Sequence, residues 1–267
     1  MWVSPLTIAE KIVLKLGGSV ITVKDKPFTP RIDAIKDIAH QLRGLTHEKY
    51  IELTGIVLGG GSYGHFTANK FYEEKSSPCH EAIYQVTTSM IELALLVSEI
   101  LAMYNLYTAI FPPHSFCRPK GIRPLCRWDY IYPFLSRNVI PLTFGDIYPC
   151  NSEQGFCIVS GDELALEIAC STSATSVVYV TDVDGIYDSK MNLIKKINVD
   201  SLGKIIHRTE EKMGGVDVTG GMKRKLTAIN EIKCPTLRRI IIVNGLKRGF
   251  LYKVLKNEDV PSTLIEL

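Results

Sequence analysis

Ile12-Val13-Leu14-Lys15-Leu16-Gly17-Gly18-Ser19 is a short apolar run that ends in a glycine pair. Such a run reads as a buried strand delivering the chain into a tight turn. There backbone N–H groups can approach an anion, because no Cβ stands in the way. Lys15 is out of place in it, since an unpaired buried ammonium is very costly. Either the lysine reaches water from an edge strand or it meets a phosphate. Three further turns favour the phosphate: Gly59-Gly60-Gly61-Ser62-Tyr63-Gly64-His65, Ser160-Gly161-Asp162, and Gly220-Gly221-Met222-Lys223-Arg224-Lys225. One glycine-rich turn is weak evidence, but four, each beside a strand end or helix start, point to a site that holds several phosphates.

Outward from these turns the chain alternates strands and helices. Strands are expected at 12–16, 55–58, 106–111, 139–143, 176–181, 239–243 and 251–255, with 263–266 as a further edge. Helices are expected over 31–43, 64–74, 81–103 and 129–138, and again after Asp162 and after Gly221. Residues 112–126, rich in proline, read as a loop, and 148–159 as a hairpin. The alternation predicts an α/β fold, a three-layer αβα sandwich around a mainly parallel sheet.

Composition narrows the function classes. The net charge of +3 and the absence of a like-charge block argue against nucleic acid as a partner. Glu99 and Asn105 interrupt the apolar stretch 91–111, which reads as a buried helix and strand, not a membrane span. The start, MWVSPLTIAEK, reads as no secretory signal. Seven cysteines at 79, 117, 126, 150, 157, 170 and 234 show no zinc-ligand spacing and read as reduced cytosolic thiols, so no metal site is expected from them.

The chemistry follows from what each turn places next to the sheet. The triple glycine and the helix expected at Gly64 aim amide donors and a positive helix end at one anion, with His65 as a side-chain donor or a plain surface residue. Gly60 to Gly64 also spells Gly-x-Ser-x-Gly, so a serine hydrolase built on Ser62, with Asp182 and His207, is a rival. That rival leaves Lys15 and the Gly220 turn without a task. Asp162 is either a helix cap or the carboxylate that orients lysines on a transferring group. Asp182, Asp184 and Asp188 in Val180-Thr181-Asp182-Val183-Asp184-Gly185-Ile186-Tyr187-Asp188 are turn formers or ligand contacts at the carboxyl edge of the sheet. Lys223, Arg224 and Lys225 in a first helical turn oppose the helix dipole unless an anion sits among them. Lys24 is equally read as solvated or as a nucleotide contact.

Taken together, LKLGGS, GGGSYGH, VSGDEL, YVTDVDGIYD and DVTGGMKRK make the chain from Lys11 onward similar to the amino acid kinase family. Within it the chain most resembles the branch that phosphorylates isopentenyl phosphate, with fosfomycin and other small phosphate, phosphonate or carboxylate kinases as the alternative. The resemblance implies one domain, 1–267, whose part at about 11–159 binds the acceptor and whose part at about 160–267 binds ATP. It implies a cytoplasmic homodimer using ATP and Mg²⁺ in isoprenoid biosynthesis through the mevalonate route. Lys15 and Lys225 would neutralise the transferring phosphoryl group, Asp162 would orient them, and His65 would hold the acceptor's phosphate. Gly17, Gly18, Lys24, Asp182, Gly185, Tyr187, Asp188, Gly220 and Lys223 would surround the nucleotide. Gly59, Gly60, Gly61, Gly64 and Gly161 would line the acceptor site. Ile83, Tyr84 and Met90, on one helix, are expected along the acceptor's organic part.

Overall fold

The computed structural model describes residues 9–64, 67, 80–120, 123–152, 155–188, 190–203, 205–206 and 220–267. In chain order its strands are β1 (Glu10–Leu16), β2 (Ile51–Leu58), β3 (Thr108–Ile110), β4 (Cys117–Lys120), β5 (Arg123–Cys126), β6 (Ile140–Phe144) and β7 (Asp146–Pro149). They continue with β8 (Phe156–Val159), β9 (Ser176–Thr181), β10 (Ile186–Tyr187), β11 (Leu193–Ile194), β12 (Lys196–Asn198), β13 (Arg239–Asn244) and β14 (Ser262–Glu266). The helices are α1 (Gly18–Ile21), α2 (Ile32–His47), α3 (His80–Ala102), α4 (Pro113–Phe116), α5 (Tyr132–Leu135), α6 (Gly161–Ser171), α7 (Gly220–Glu231) and α8 (Phe250–Leu255).

Eight strands form one sheet in the order β12-β14-β13-β9-β1-β2-β6-β3. From β13 to β3 every pairing is parallel, and β14 runs antiparallel to β13. Alternation along β1 divides the core. Ile12, Leu14 and Leu16 face Ile35, Ile38 and Leu42 of α2, Leu93 and Val97 of α3 and Leu251 of α8. Val13 points the other way, toward Leu164 and Ile168 of α6 and Leu226 and Ile229 of α7. Both faces are thus covered by helices, as a parallel sheet of near-continuous apolar strands requires. α3 is long and apolar enough to cross a membrane, with a mean hydropathy of 1.4. Its row of Val86, Met90, Leu93, Ala94, Val97 and Leu101 is buried inside the protein, which accounts for that apolarity.

Several expectations are corrected. Residues 251–255 form a helix, α8, because Leu251, Val254 and Leu255 all face the core at helical spacing, and Gly249 turns the chain into it at φ +78°. The stretch 112–126 is no simple loop: α4 is followed by the two-stranded β4–β5 ribbon, where Pro119 and Pro124, which have no backbone N–H to donate, sit opposite each other. Residues 129–138 break into a 3₁₀ turn, Trp128–Ile131, and the single-turn α5. β14 is an interior strand, because β12 pairs outside it. The thiol expectation also fails at four positions. Cys117 and Cys126 are direct cross-strand partners in β4–β5 and are disulfide-bonded, as are Cys150 and Cys157 beyond and within the β7–β8 hairpin. Cys170 and Cys234 remain thiols.

Candidate active site

The parallel strands end together, so the segments after β1, β2, β6 and β9 meet on one edge, where open α/β sheets bind ligands. The β1 and β2 turns interlock. A Cβ on Gly18 would stand 2.2 Å from the Gly61 nitrogen, and Gly61 itself has φ +49°. Thr22, fully buried, clasps the two: its Oγ1 donates to the Gly18 carbonyl at 2.8 Å and accepts from the Ser62 N–H at 2.9 Å. The Gly17 amide donates to Val180 O and the Gly59 amide to Leu16 O. Those two glycines therefore serve by lacking a side chain, a correction to their expected role as amide donors. Glycine at 59 also leaves room for Lys15, whose Nζ would lie 3.2 Å from a Cβ there.

Three of the expected residues converge. Lys15 reaches Asp162 Oδ1 at 2.8 Å, and Lys225 reaches the same oxygen at 3.0 Å. All three are buried, and Lys15 leaves β1 on the α6 side of the sheet. Asp162 is available because it does not cap its helix: Ser160 does, accepting from the Asp162 N–H, and Glu163 completes the capping box. Gly161 lets the helix start approach the sheet, since a Cβ there would stand 2.9 Å from Leu58 O. Burial pushes the Asp162 carboxyl up, but the fields of Lys15 and Lys225 outweigh it and hold the carboxyl at about 2. Burial, then the neighbouring Lys15 charge, lowers the Lys225 ammonium to about 8, against the opposing pull of Asp162 and Asp182. Two cations thus share one anion, which leaves an uncompensated positive charge at the sheet edge, suited to an anionic group.

Around this centre the other expected residues scatter. Lys24 is exposed on the loop after α1, and Asp182 is exposed at the end of β9. Gly185 is needed for packing, because a Cβ would come within 2.4 Å of Thr263 Oγ1. Tyr187 donates to Asp184 Oδ2 at 3.4 Å, and Asp184 also accepts from Asn244 and Lys247. Asp188 accepts from the backbone N–H groups of Lys190 and Asn192 and from the Asn192 side chain, which makes it a turn former. Gly220 opens α7, with Lys223 and Arg224 on its exposed side and Lys225 turned inward.

On the acceptor side, His65 lies outside the described residues. Gly60 and Gly64 belong to the turn after β2, where the Gly64 N–H donates to Gly60 O and Met90 lies beneath Gly64. Ile83, like Phe156 and Ile158 of the hairpin, packs against Ala82, Val86 and Ile147. Tyr84, 65% exposed, points away from that cluster, so it does not share the face expected of it. Ser62 is 1% exposed and its Oγ accepts from the Thr29 N–H at 3.3 Å, which removes the exposed nucleophile that a serine hydrolase needs.

Sequence reasoning missed Thr22 and the hairpin residues Ile147, Phe156 and Ile158. A threonine four residues after Gly18 carries no motif, and only the alternation within 146–159 hints at an inward face.

A sequence model described as the amino acid kinase family matches residues 10–244. The chain is 30% identical over 257 residues to an isopentenyl phosphate kinase of Methanocaldococcus jannaschii, covering 92% of this chain and 95% of that one. It is 30% identical over 244 residues to an isopentenyl phosphate kinase of Thermoplasma acidophilum, covering 88% and 91%. A crystal structure of the T. acidophilum isopentenyl phosphate kinase in a product complex superposes with a TM-score of 0.71 at 25% identity, over 96% of this chain and 99% of the other.

Proposed function

The chain belongs to the amino acid kinase family, and from that premise we propose that it transfers the γ-phosphoryl group of ATP to isopentenyl phosphate, giving isopentenyl diphosphate and ADP. The observation that carries this reading is the Lys15–Asp162–Lys225 constellation beside the glycine turns. An oxygen of the acceptor's phosphate forms the new bond to the γ-phosphorus as the bond to the β–γ bridging oxygen breaks. The acceptor is already anionic, so no general base is required. What the protein supplies is alignment and charge stabilisation, the main demands of phosphoryl transfer.

Lys15 and Lys225 hold the equatorial oxygens of the transferring group, and Asp162 fixes both ammoniums. Backbone amides of Gly18, Gly60 and Gly61, with His65, hold the acceptor's phosphate. Ile83, Val86, Ile147, Phe156 and Ile158 form the apolar face for its alkyl chain. Residues after β9 and at the start of α7 take the nucleotide, with the division near residue 160 separating acceptor and ATP parts.

Among the described residues no group of three or more His, Cys, Asp or Glu side chains gathers to hold a metal ion. Mg²⁺ would come bound to the nucleotide's phosphates and would supply charge neutralisation there. Asp182, exposed and near enough to act on Lys225, would be the carboxylate to meet it. The reading includes a homodimer, for which Leu95, Met103 and Tyr107 supply exposed apolar surface. It also includes a cytoplasmic place in isoprenoid supply by the mevalonate route, where ATP is at hand.

The test is ADP release with Mg²⁺ and ATP, comparing isopentenyl phosphate, dimethylallyl phosphate, fosfomycin, N-acetylglutamate, UMP and no acceptor. Dependence on the prenyl phosphates supports the reading. Activity only with fosfomycin, acetylglutamate or UMP keeps the chemistry and overturns the acceptor. ATP binding without turnover on any of them overturns catalysis in favour of a nucleotide sensor.

A further inference from the structure

Tyr179 is fully buried in the middle of β9, among the valines of Ser176-Val177-Val178-Tyr179-Val180-Thr181. A buried phenol needs a partner, and an aliphatic residue would satisfy the strand without one. Three contacts account for the tyrosine. In the sheet it stands directly beside Lys15. Its hydroxyl donates to the backbone carbonyl of Asp162 at 3.0 Å. The Lys225 ammonium lies 4.5 Å from the centre of its ring. One side chain therefore touches or adjoins every member of the Lys15–Asp162–Lys225 constellation.

We propose that Tyr179 is the positioning residue of the phosphoryl-transfer centre: its ring face seats the Lys225 ammonium, and its hydroxyl fixes the helix start that carries Asp162. The physical case rests on burial. A cation over an aromatic face gains most when water is excluded, and Lys225 is only 5% exposed. The groups that face the Lys225 ammonium are Lys15 from β1, Asp162 from α6, Asp182 at the end of β9 and Tyr179 itself. Against Lys15, a charge of the same sign, the ring helps Asp162 retain the proton on Lys225. Burial also pushes the Tyr179 phenol well above its ordinary range, so it stays a donor throughout the working pH. With ring and hydroxyl both fixed, the Lys225 ammonium has one position from which to meet an incoming phosphate.

The inference rests on the phosphoryl-transfer reading, so its test includes an arm that needs no turnover. Lysines are ¹³C-methylated and the Lys225 signal, assigned by its loss in Lys225→Arg, is titrated by NMR in the absence of nucleotide. Tyr179→Phe keeps the ring: Lys225 should titrate as in the wild type, near 8, while kcat falls about five-fold through the lost hydrogen bond. Tyr179→Leu removes both contacts: the Lys225 titration should drop to about 7 and kcat should fall about 30-fold or more, with KM for the acceptor little changed. A fluorinated phenylalanine at 179 keeps the shape but abolishes the negative ring face. It should reproduce the leucine titration even if the leucine protein does not fold.

A fluorinated protein whose Lys225 titrates as in Tyr179→Phe overturns the ring assignment. Wild-type kcat in Tyr179→Phe overturns the hydroxyl assignment. If the wild type releases no ADP with any acceptor, the reaction reading fails, and the titration still decides what Tyr179 does to Lys225.

Discussion

Asparagine at position 162 keeps the shape of the side chain and the Ser160 cap but removes the one negative charge that two ammoniums share. Lys15 and Lys225 contact the same oxygen at 2.8 and 3.0 Å, so they stand no more than about 6 Å apart. At an effective dielectric constant of about 20 their repulsion is about 3 kcal/mol, enough to move a protonation equilibrium about a hundred-fold. Lys225 already sits at about 8 through burial and Lys15. That value already contains the repulsion; Asp162, which Lys225 meets at 3.0 Å, opposes it with an attraction at least as large, so without the carboxylate Lys225 should fall to about 6 or below and be mostly neutral at neutral pH. Turnover should then drop by roughly 10²–10³, the scale of losing one preorganised donor at a charge-developing oxygen. The assay is ADP release measured from about pH 5.5 to 9.5, read as kcat/KM for ATP, which reports groups in the free enzyme. The wild type should lose activity as pH rises past about 8, because its Lys225 deprotonates there. Asp162→Asn should show that limb displaced to about 6 or below, with part of its turnover recovered at the acid end. A variant within a few-fold of wild-type turnover, or one whose alkaline limb stays near 8, would refute the shared-anion argument.

The same carboxylate governs acid stability. Its folded value of about 2 lies below the ordinary 3.8, so its contribution is present above about pH 4 and lost as pH falls through about 2; stability curves of wild type and Asp162→Asn should converge in that window. Thr22→Val leaves the Ser62 N–H and Gly18 carbonyl without their clasp and should cost about 1–3 kcal/mol in urea unfolding, while a neutral result would show that the glycine turns hold each other unaided. Gly185→Ala forces a Cβ against Thr263 and should cost about 1–3 kcal/mol. An unchanged melting temperature with a raised KM for ATP would instead make Gly185 a nucleotide contact. Ile83→Ala with Phe156→Ala should let longer alkyl phosphates compete with isopentenyl phosphate, and an unchanged chain-length profile would move the apolar tail away from the hairpin.

The alternation of strand and helix was legible because a parallel sheet buries both faces and writes its strands as apolar runs, as in Ser176–Thr181 and Ile12–Leu16. Lys15 could be read because it breaks a local rule, a lysine in a buried strand, whereas Asp162 stayed either a cap or a partner of lysines until the structure gave the cap to Ser160. Where local signal and tertiary context part, the sequence misleads. Residues 251–255 are five apolar-rich positions that suit strand or helix equally, and only the packing on α2 decides between them. Asp188 and Gly185 look like ligand contacts in an aspartate-rich turn, yet their partners are Asn192, four residues further along the chain, and Thr263, on a strand formed far later in the chain. Thr22 leaves no motif, and Tyr179, although it opens YVTDVDGIYD, gives no sign there of its partners, because a residue that positions another is recognisable only once both are placed in space.

β1 is synthesised well before β9, yet it lies in the middle of the sheet, with β2 on one side and β9 on the other. β2 follows it closely, but β9 begins only at Ser176. At about 5–20 residues per second, β1 therefore waits roughly 8 to 30 seconds with a bare, apolar edge before its second neighbour is synthesised. Lys15 lies at the end of that edge, and its partners on α6 and α7 come from the later half of the chain. The proposed phosphoryl-transfer centre is thus completed late, around a strand made early, and a nascent chain carries an exposed strand edge, open to mispairing and to chaperones, long before Lys15 meets its partners.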